Sequence, residues 1–280
     1  MVDEDERLLG IVTMRDLLFN EHAAALRDVM LTDVFALRAP IKLDEAMKQV
    51  LDRHYPVYPV VDAENRIRGL VRGQSMFEAR AFEIAAQPGS MVGVEKEERM
   101  GTPWQRSLIM RHPWLQLNLL TAFIAAAVVG IFQDTIDRVV ILALFLPVLA
   151  GQSGNTGCQA LAVTLRGMTI GELKPGGARA LITKEVGLGA LNGAGVGLIA
   201  AIAMFLTARG QHAVHPIALA FVVFVAMVGS CVASGLSGAL VPLTLKRLGF
   251  DPATASSIFL TTATDVVSMG MLLGLATLVV

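Results

Sequence analysis

The sequence predicts an α-helical membrane protein with five transmembrane helices per subunit, preceded by a cytoplasmic α/β region and a linking helix. Three observations lead there. Hydrophobic residues make up 54% of the 280 and charged residues 17%, and the apolar excess lies in the second half, whereas residues 1–106 alternate charge and hydrophobe as soluble domains do. Several apolar runs in the second half reach the roughly 20 residues that a helix needs to cross hydrocarbon. One of these runs carries Pro147, Gly151, Gly154 and Gly157 among amides and hydroxyls. Lipid does not tolerate such a stretch, because every backbone group freed from the helix must find a partner in protein or along a wet path. A helix broken there and lined by polar groups implies passage of something polar through a membrane.

Taken in order, residues 1–27 carry a short strand and helix, and residues 28–77 read as a small β/α module. Within it Val34 to Leu37 is strand-like, Leu43 to Leu51 has helical periodicity, and Val57 to Asp62 and Ile67 to Val71 are strands around the turn Ala63-Glu64-Asn65-Arg66. Residues 78–106 form a linker that begins in an amphipathic helix, with Pro88-Gly89 expected to end it. Residues 107–280 hold the five spans, at 114–132, 139–165, 186–206, 216–243 and 252–280. Arg106, Arg111, Arg166, Lys174, Arg179, Lys184, Lys246 and Arg247 fall on one side of these spans, and Arg138 and Arg209 on the other. The positive-inside rule then puts the N-terminal region in the cytoplasm and the C-terminus outside, as expected for a multi-pass protein of a bacterial inner membrane. The acidic opening Met1-Val2-Asp3-Glu4-Asp5 is not a signal peptide. A formal net charge of −1 argues against nucleic acid as a partner, and Cys158 and Cys231, both inside spans, form no disulfide framework.

That topology brings two unusual features to one depth. Gly154 and Asn155 lie about 15 residues into the second span and Asp265 about 13 into the fifth, so at ~1.5 Å per residue both sit roughly 20 Å from the ends where those spans begin. Asp265 is the one carboxylate deep in a predicted span, and Thr261 and Thr264 add hydroxyl oxygens beside it. Asn155 and Gln159, four apart, share a helix face and offer carbonyl oxygens. Oxygen ligands without His or clustered Cys suit hard cations such as Mg²⁺ or Ca²⁺. No Walker motif and no site for an organic cofactor stands in the chain, which reads as a non-enzyme.

The stretch Pro147 to Gln159, the segments Leu165 to Leu173 and Lys184 to Gly189, and the run from Leu240-Val241-Pro242 through Asp251-Pro252-Ala253 to Thr264-Asp265 together resemble the MgtE family of magnesium channels and transporters. The resemblance implies a homodimer whose pore on the two-fold axis passes Mg²⁺. Asp265 then faces the hydrated ion, with Gly154, Asn155, Ala150, Gly151, Thr156 and Gln159 in the lining segment. One departure stands out: Cys158 occupies the place where the family motif often has a second Asn. The order of elements in residues 28–77 resembles a CBS domain, and Gly10-Ile11-Val12-Thr13-Met14-Arg15-Asp16 resembles the ending of a preceding one. By this resemblance the family's N-terminal helical domain is absent and the first CBS domain incomplete. In nucleotide-binding CBS domains the corresponding Thr and Asp, here Thr13 and Asp16, hold ribose and phosphate, but the second module lacks the acid. The resemblance also implies gating by cytoplasmic Mg²⁺ through the CBS region and a plug helix, with Glu78 and Glu83 as the linker carboxylates. Two alternatives remain at the level of sequence: a membrane-anchored CBS sensor, or a transporter of Co²⁺, Ni²⁺ or Ca²⁺.

Overall fold

The computed structural model describes every residue except 22, 51, 52, 54, 174, 175 and 280. Leu51, Lys174 and Val280, expected at a helix end, among the inward basic residues and at the end of the fifth span, lie outside the described residues. The chain divides into two compact units, Met1–Ala86 and Gln87–Val280, each with its own core.

The first unit contains α1 (Met14–Phe19), α2 (Leu26–Val29), β1 (Leu37–Arg38), α3 (Leu43–Val50), β2 (Val57–Val61), β3 (Ile67–Arg72) and the start of α4 (Gly73–Ser90). Its sheet has the order β1-β2-β3, with β1 parallel to β2 and β2 antiparallel to β3. The expected strand from Val34 is paired only over Leu37–Arg38, and Pro40, which has no N–H to give a ladder, follows it closely. The Asp62 carboxylate shapes the β2–β3 turn by accepting from the Glu64 and Arg66 N–H groups at 3.1 and 2.8 Å, while Asn65 takes a left-handed φ of 65°. Leu37, Ala46, Met47, Val50, Tyr58 and Met76 make the core, and Phe35 meets Tyr58 edge-on at 6.3 Å.

The second unit contains α5 (Trp104–Ile131), α6 (Gln133–Arg138), α7 (Leu142–Thr169), α8 (Gly177–Gly210), α9 (Pro216–Arg247) and α10 (Pro252–Thr277). Among the described residues four stretches, α5, α8, α9 and Ser256–Thr277, are long and apolar enough to cross a membrane. α7 is long enough at 28 residues, but its polar segment takes it out of that group. The core is built where α7 to α10 meet, with Leu142, Leu149, Met204, Met227, Leu272 and Leu273 at or near zero exposure.

Glycines set how closely these helices approach. A Cβ at Gly189 would lie 2.5 Å from the Cys231 carbonyl oxygen, one at Gly235 2.5 Å from that of Glu185, and one at Gly238 2.6 Å from that of Gly157. The pairs 189 with 231 and 185 with 235 show α8 and α9 running antiparallel with backbones almost touching, a packing that small residues permit.

Two expectations about breaks need correction. α7 is not broken at 147–159 but helical throughout Leu142–Thr169. Pro147 sits early in the helix and removes a single backbone donor, while Gly151, Gly154 and Gly157 all stay out of the left-handed region. Pro88-Gly89 likewise does not end α4, which runs to Ser90. The stop is Gly93, whose φ of 78° turns the chain so that the Val94 N–H reaches Gly89 O at 2.9 Å and the Gly93 N–H reaches Ser90 O at 3.2 Å.

Candidate cation site

Within α7 the side chains sort by direction. Ser153, Gly157, Ala160, Leu161 and Thr164 are buried against neighbouring helices, and a Cβ at Gly157 would meet Leu260 at 2.9 Å and Thr264 at 3.3 Å on α10. Gly151, Asn155 and Cys158 lie on an open face, and nothing stands within 4 Å of a Cβ built at Gly151 or Gly154. Ala150 and Gly154 are half-buried. The open face is therefore polar and narrow-sided, a stripe of glycine and amide that would be costly against lipid.

Asp265 meets this stripe in depth. Gly157 packs between Leu260 and Thr264, so Asn155 lies about 3 Å and Asp265 about 4.5 Å further along the same direction, at ~1.5 Å per residue on antiparallel helices. Asp265 is half-buried, and among the described residues its carboxylate makes no hydrogen bond or ion pair. The hydroxyls around it are already committed as donors. Thr261 donates to Ser257 O at 3.0 Å, Thr264 to Thr261 O at 2.9 Å and Ser268 to Asp265 O at 3.2 Å. Such oxygens present lone pairs only, which suits a cation or the water protons of a hydrated one.

Thr156 and Gln159 face α8. Together with Lys184, Glu185 and Asn192 they line a cleft between α7 and α8, and Thr156 donates to Gln152 O at 3.0 Å. Gln159 is only about 40° around the helix from Asn155, so cleft and stripe adjoin. Glu185 is the residue that sequence reasoning missed. It is 6% exposed, and among the described residues its Oε1 has no hydrogen-bond partner. The detectable signal was the spacing Glu185, Gly189, Asn192, which puts an acid, a gap and an amide on one helix face. Among the described residues no three His, Cys, Asp or Glu side chains gather as a metal cage.

The remaining candidates lie elsewhere. Thr13 and Asp16 close a capping box on α1: the Thr13 hydroxyl donates to Asp16 Oδ2 at 2.7 Å and the Asp16 N–H donates to Thr13 Oγ1 at 3.2 Å. The Thr13 hydroxyl foremost, and then the Thr13 N–H, which also donates to Asp16 Oδ2 at 2.9 Å, hold the Asp16 carboxyl below its ordinary value. On α4, Glu78 accepts from Gln74 at 2.8 Å and Glu83 from Arg80 at 3.0 Å. In the second unit, Gln87 donates to the Thr169 hydroxyl at 2.6 Å, Met91 packs on Leu161, Leu165 and Leu260, and Glu98 grips Arg111 at 2.6 Å. The last turn of α4 and the segment after it are thus fastened to the parts of α5, α7 and α10 that carry Arg111, Thr169 and Leu260.

An antiparallel helix bundle with an unpartnered carboxylate level with a polar stripe is the outline of an ion-transport domain. Residues 146–275 match the model of the MgtE family, described as divalent cation transporters, and residues 1–22 and 26–81 match the CBS domain model. The magnesium transporter MgtE of Enterococcus faecalis is 29% identical over 269 residues, which cover 96% of this chain and 58% of that protein. That of Thermus thermophilus is 29% identical over 284 residues, covering 99% of this chain and 61% of that protein. The chain thus spans about 60% of the length of the curated relatives it matches. Inosine-5'-monophosphate dehydrogenase of Nitrosopumilus maritimus is 39% identical over 103 residues, 34% of this chain and 21% of that enzyme, within the CBS region alone.

Proposed function

We propose that this chain carries Mg²⁺ across a bacterial inner membrane as a homodimer, with α7 as the fifth crossing and the N-terminal region in the cytoplasm. The observation that carries the reading is the unpartnered Asp265 carboxylate at the depth of Gly154 and Asn155. Mg²⁺ dehydrates reluctantly and keeps several waters, so one carboxylate per subunit beside lone-pair oxygens suits it better than a tight cage. A second copy placed against the open face of α7 would cover its amides with water and protein instead of lipid, which favours a path on the dimer axis. Influx needs no nucleotide hydrolysis, since an inside-negative potential supplies about 2.3 kcal/mol per charge per 100 mV, or about 4.6 kcal/mol for a divalent ion.

The test is uptake of Mg²⁺, Co²⁺, Ni²⁺ and Ca²⁺ in a strain that lacks its own magnesium transport. Growth at low magnesium together with Mg²⁺ entry is the expected result. Expression in the membrane without rescue or uptake of any of the four ions would favour the CBS-anchor reading and overturn this one.

Gating by cytoplasmic Mg²⁺ is the finer part of the proposal. Support comes from the segment 87–98, which is fastened by the Thr169, Leu260 and Arg111 contacts to helix ends beneath the Asp265 level. Carboxylates at Glu78 and Glu83 would recruit the ion upstream of that clasp. Millimolar Mg²⁺ is expected to slow proteolysis within residues 75–105, and the double substitution Glu78→Gln, Glu83→Gln to remove the protection. Cleavage at the same rate in chelator and in magnesium would rule out this mechanism.

A further inference from the structure

The α7–α8 cleft holds a carboxylate that the Asp265 site does not use. The Glu185 side chain is 7% exposed, and among the described residues its Oε1 accepts no hydrogen bond. Among the described residues its nearest cation, Lys184 Nζ, stands 3.7 Å away on a side chain that is 59% exposed, too far for a hydrogen bond and free to swing into solvent. An ionised oxygen left like this is expensive, and a buried charge persists where it is paired or coordinates a metal. The space in front of it has a volume of about 180 Å³ and is lined by Thr156, Gln159, Lys184 and Asn192 as well. One water needs about 10–15 Å³ of such space, so the cleft has room for several. The Thr156 hydroxyl has acceptors at Gln152 O, 3.0 Å away, and Cys231 Sγ, 3.6 Å away, so its proton is taken within the bundle and its oxygen is left to accept from the cleft, while the two amides can each turn an oxygen inward.

From this juxtaposition of an orphaned carboxylate, amide and hydroxyl oxygens and a cavity of hydrated-ion size, we infer that the α7–α8 cleft is a second divalent-cation site, separate from Asp265. The ligand is a hydrated hard cation held by Glu185 directly or through water, with Gln159, Asn192 and Thr156 accepting from its water shell. Lys184 is its competitor: when the cleft is empty the ammonium approaches the carboxylate, and when the ion enters it leaves. Gln159 adjoins the open stripe of α7, which puts this site beside the proposed path. Gly189, whose missing side chain lets α8 approach Cys231, also lines the cleft.

The inference rests on the reading of this half as a divalent-cation pathway, and the two fail differently. Mn²⁺ serves as the probe, titrated by electron paramagnetic resonance into the full chain in detergent, with Mg²⁺ as competitor. In an Asp265→Asn background one Mg²⁺-competed Mn²⁺ site should remain that responds to Glu185. Adding Glu185→Gln should weaken it at least tenfold, Glu185→Asp should restore part of the affinity, and Lys184→Met should tighten it severalfold. An unchanged titration in Glu185→Gln overturns the inference. So does weaker binding in Lys184→Met, the result expected if Lys184 served the site instead of competing for it, and this second arm decides the matter where Glu185→Gln does not fold. Loss of cation uptake by the parental chain would sink the proposed function whatever Mn²⁺ does, whereas normal uptake with a titration indifferent to Glu185 and Lys184 would sink only this site.

Discussion

Replacing Asp265 by Ala or Asn is expected to lower Mg²⁺ uptake by at least about a hundredfold while leaving a folded, membrane-inserted protein. The size follows from charge. A unit charge about 4 Å from a divalent ion is worth about 8 kcal/mol at an effective dielectric constant of ~20. If desolvation cancels more than half of that, a remaining ~3 kcal/mol is still about a hundredfold in occupancy. Folding should survive because the Asp265 carboxylate makes no hydrogen bond or ion pair among the described residues, so its removal strands no partner. Asp265→Glu should keep part of the uptake with altered preference among cations, since it retains the charge but moves it by one methylene. A protonated aspartate serving to hold helices together would give the reverse pattern, with Asn the gentle change. Uptake at the parental rate in Asp265→Asn, measured at equal membrane abundance, would therefore remove the basis of the proposed path.

The depth match between Asp265 and Asn155 was legible because helical rise is nearly constant, so that counting residues in two antiparallel spans gives relative height. The contact of Gly157 with Leu260 and Thr264 agrees with it. Continuity of α7 was not legible. Proline and glycine are poor helix formers by local propensity, but Gly157 and Gly238 let α9 and α10 close on the segment, and packing outweighs the propensity deficit of about 1 kcal/mol per glycine. Pro88-Gly89 misled for a related reason, since one lost donor near a helix end is a small penalty and the left-handed Gly93 supplies a better stop. Glu185 escaped notice because it follows Lys184 at the edge of an apolar run, where an acid and a base together suggest a solvated ion pair. Its 6% exposure, beside a backbone on which Gly235 packs, is a property of the folded helices and not of the local sequence. The partition of α7 into a stripe facing outward and a cleft facing α8 could not be read from the motif either, because Asn155, Thr156 and Gln159 are neighbours in sequence and differ only in direction.

The same backbone contacts predict a large, position-specific loss of stability. Gly189→Ala places a methyl group where a Cβ would stand 2.5 Å from the Cys231 carbonyl oxygen and 3.1 Å from the Val232 Cα. Both obstacles are backbone on a buried helix, so neither can rotate away, and α8 must move off α9. Overpacking of this kind costs about 1–3 kcal/mol. The movement would also loosen Gly193 and Gly235, whose Cβ positions lie 2.9 Å from Val228 Cα and 2.5 Å from the Glu185 carbonyl oxygen along the same interface. Gly187, two residues earlier on α8, is the matched control, because it is exposed and nothing stands within 4 Å of a Cβ built there. Gly187→Ala should gain up to about 1 kcal/mol from helix propensity alone. Thermal unfolding of the two variants in detergent should diverge, Gly189→Ala melting below the parental chain and Gly187→Ala at or above it, and Gly189→Leu should give no folded protein. Equal melting temperatures for the two alanine variants would mean that α8 and α9 are not in backbone contact, and with that contact would go the enclosure of Glu185 and the cleft it lines.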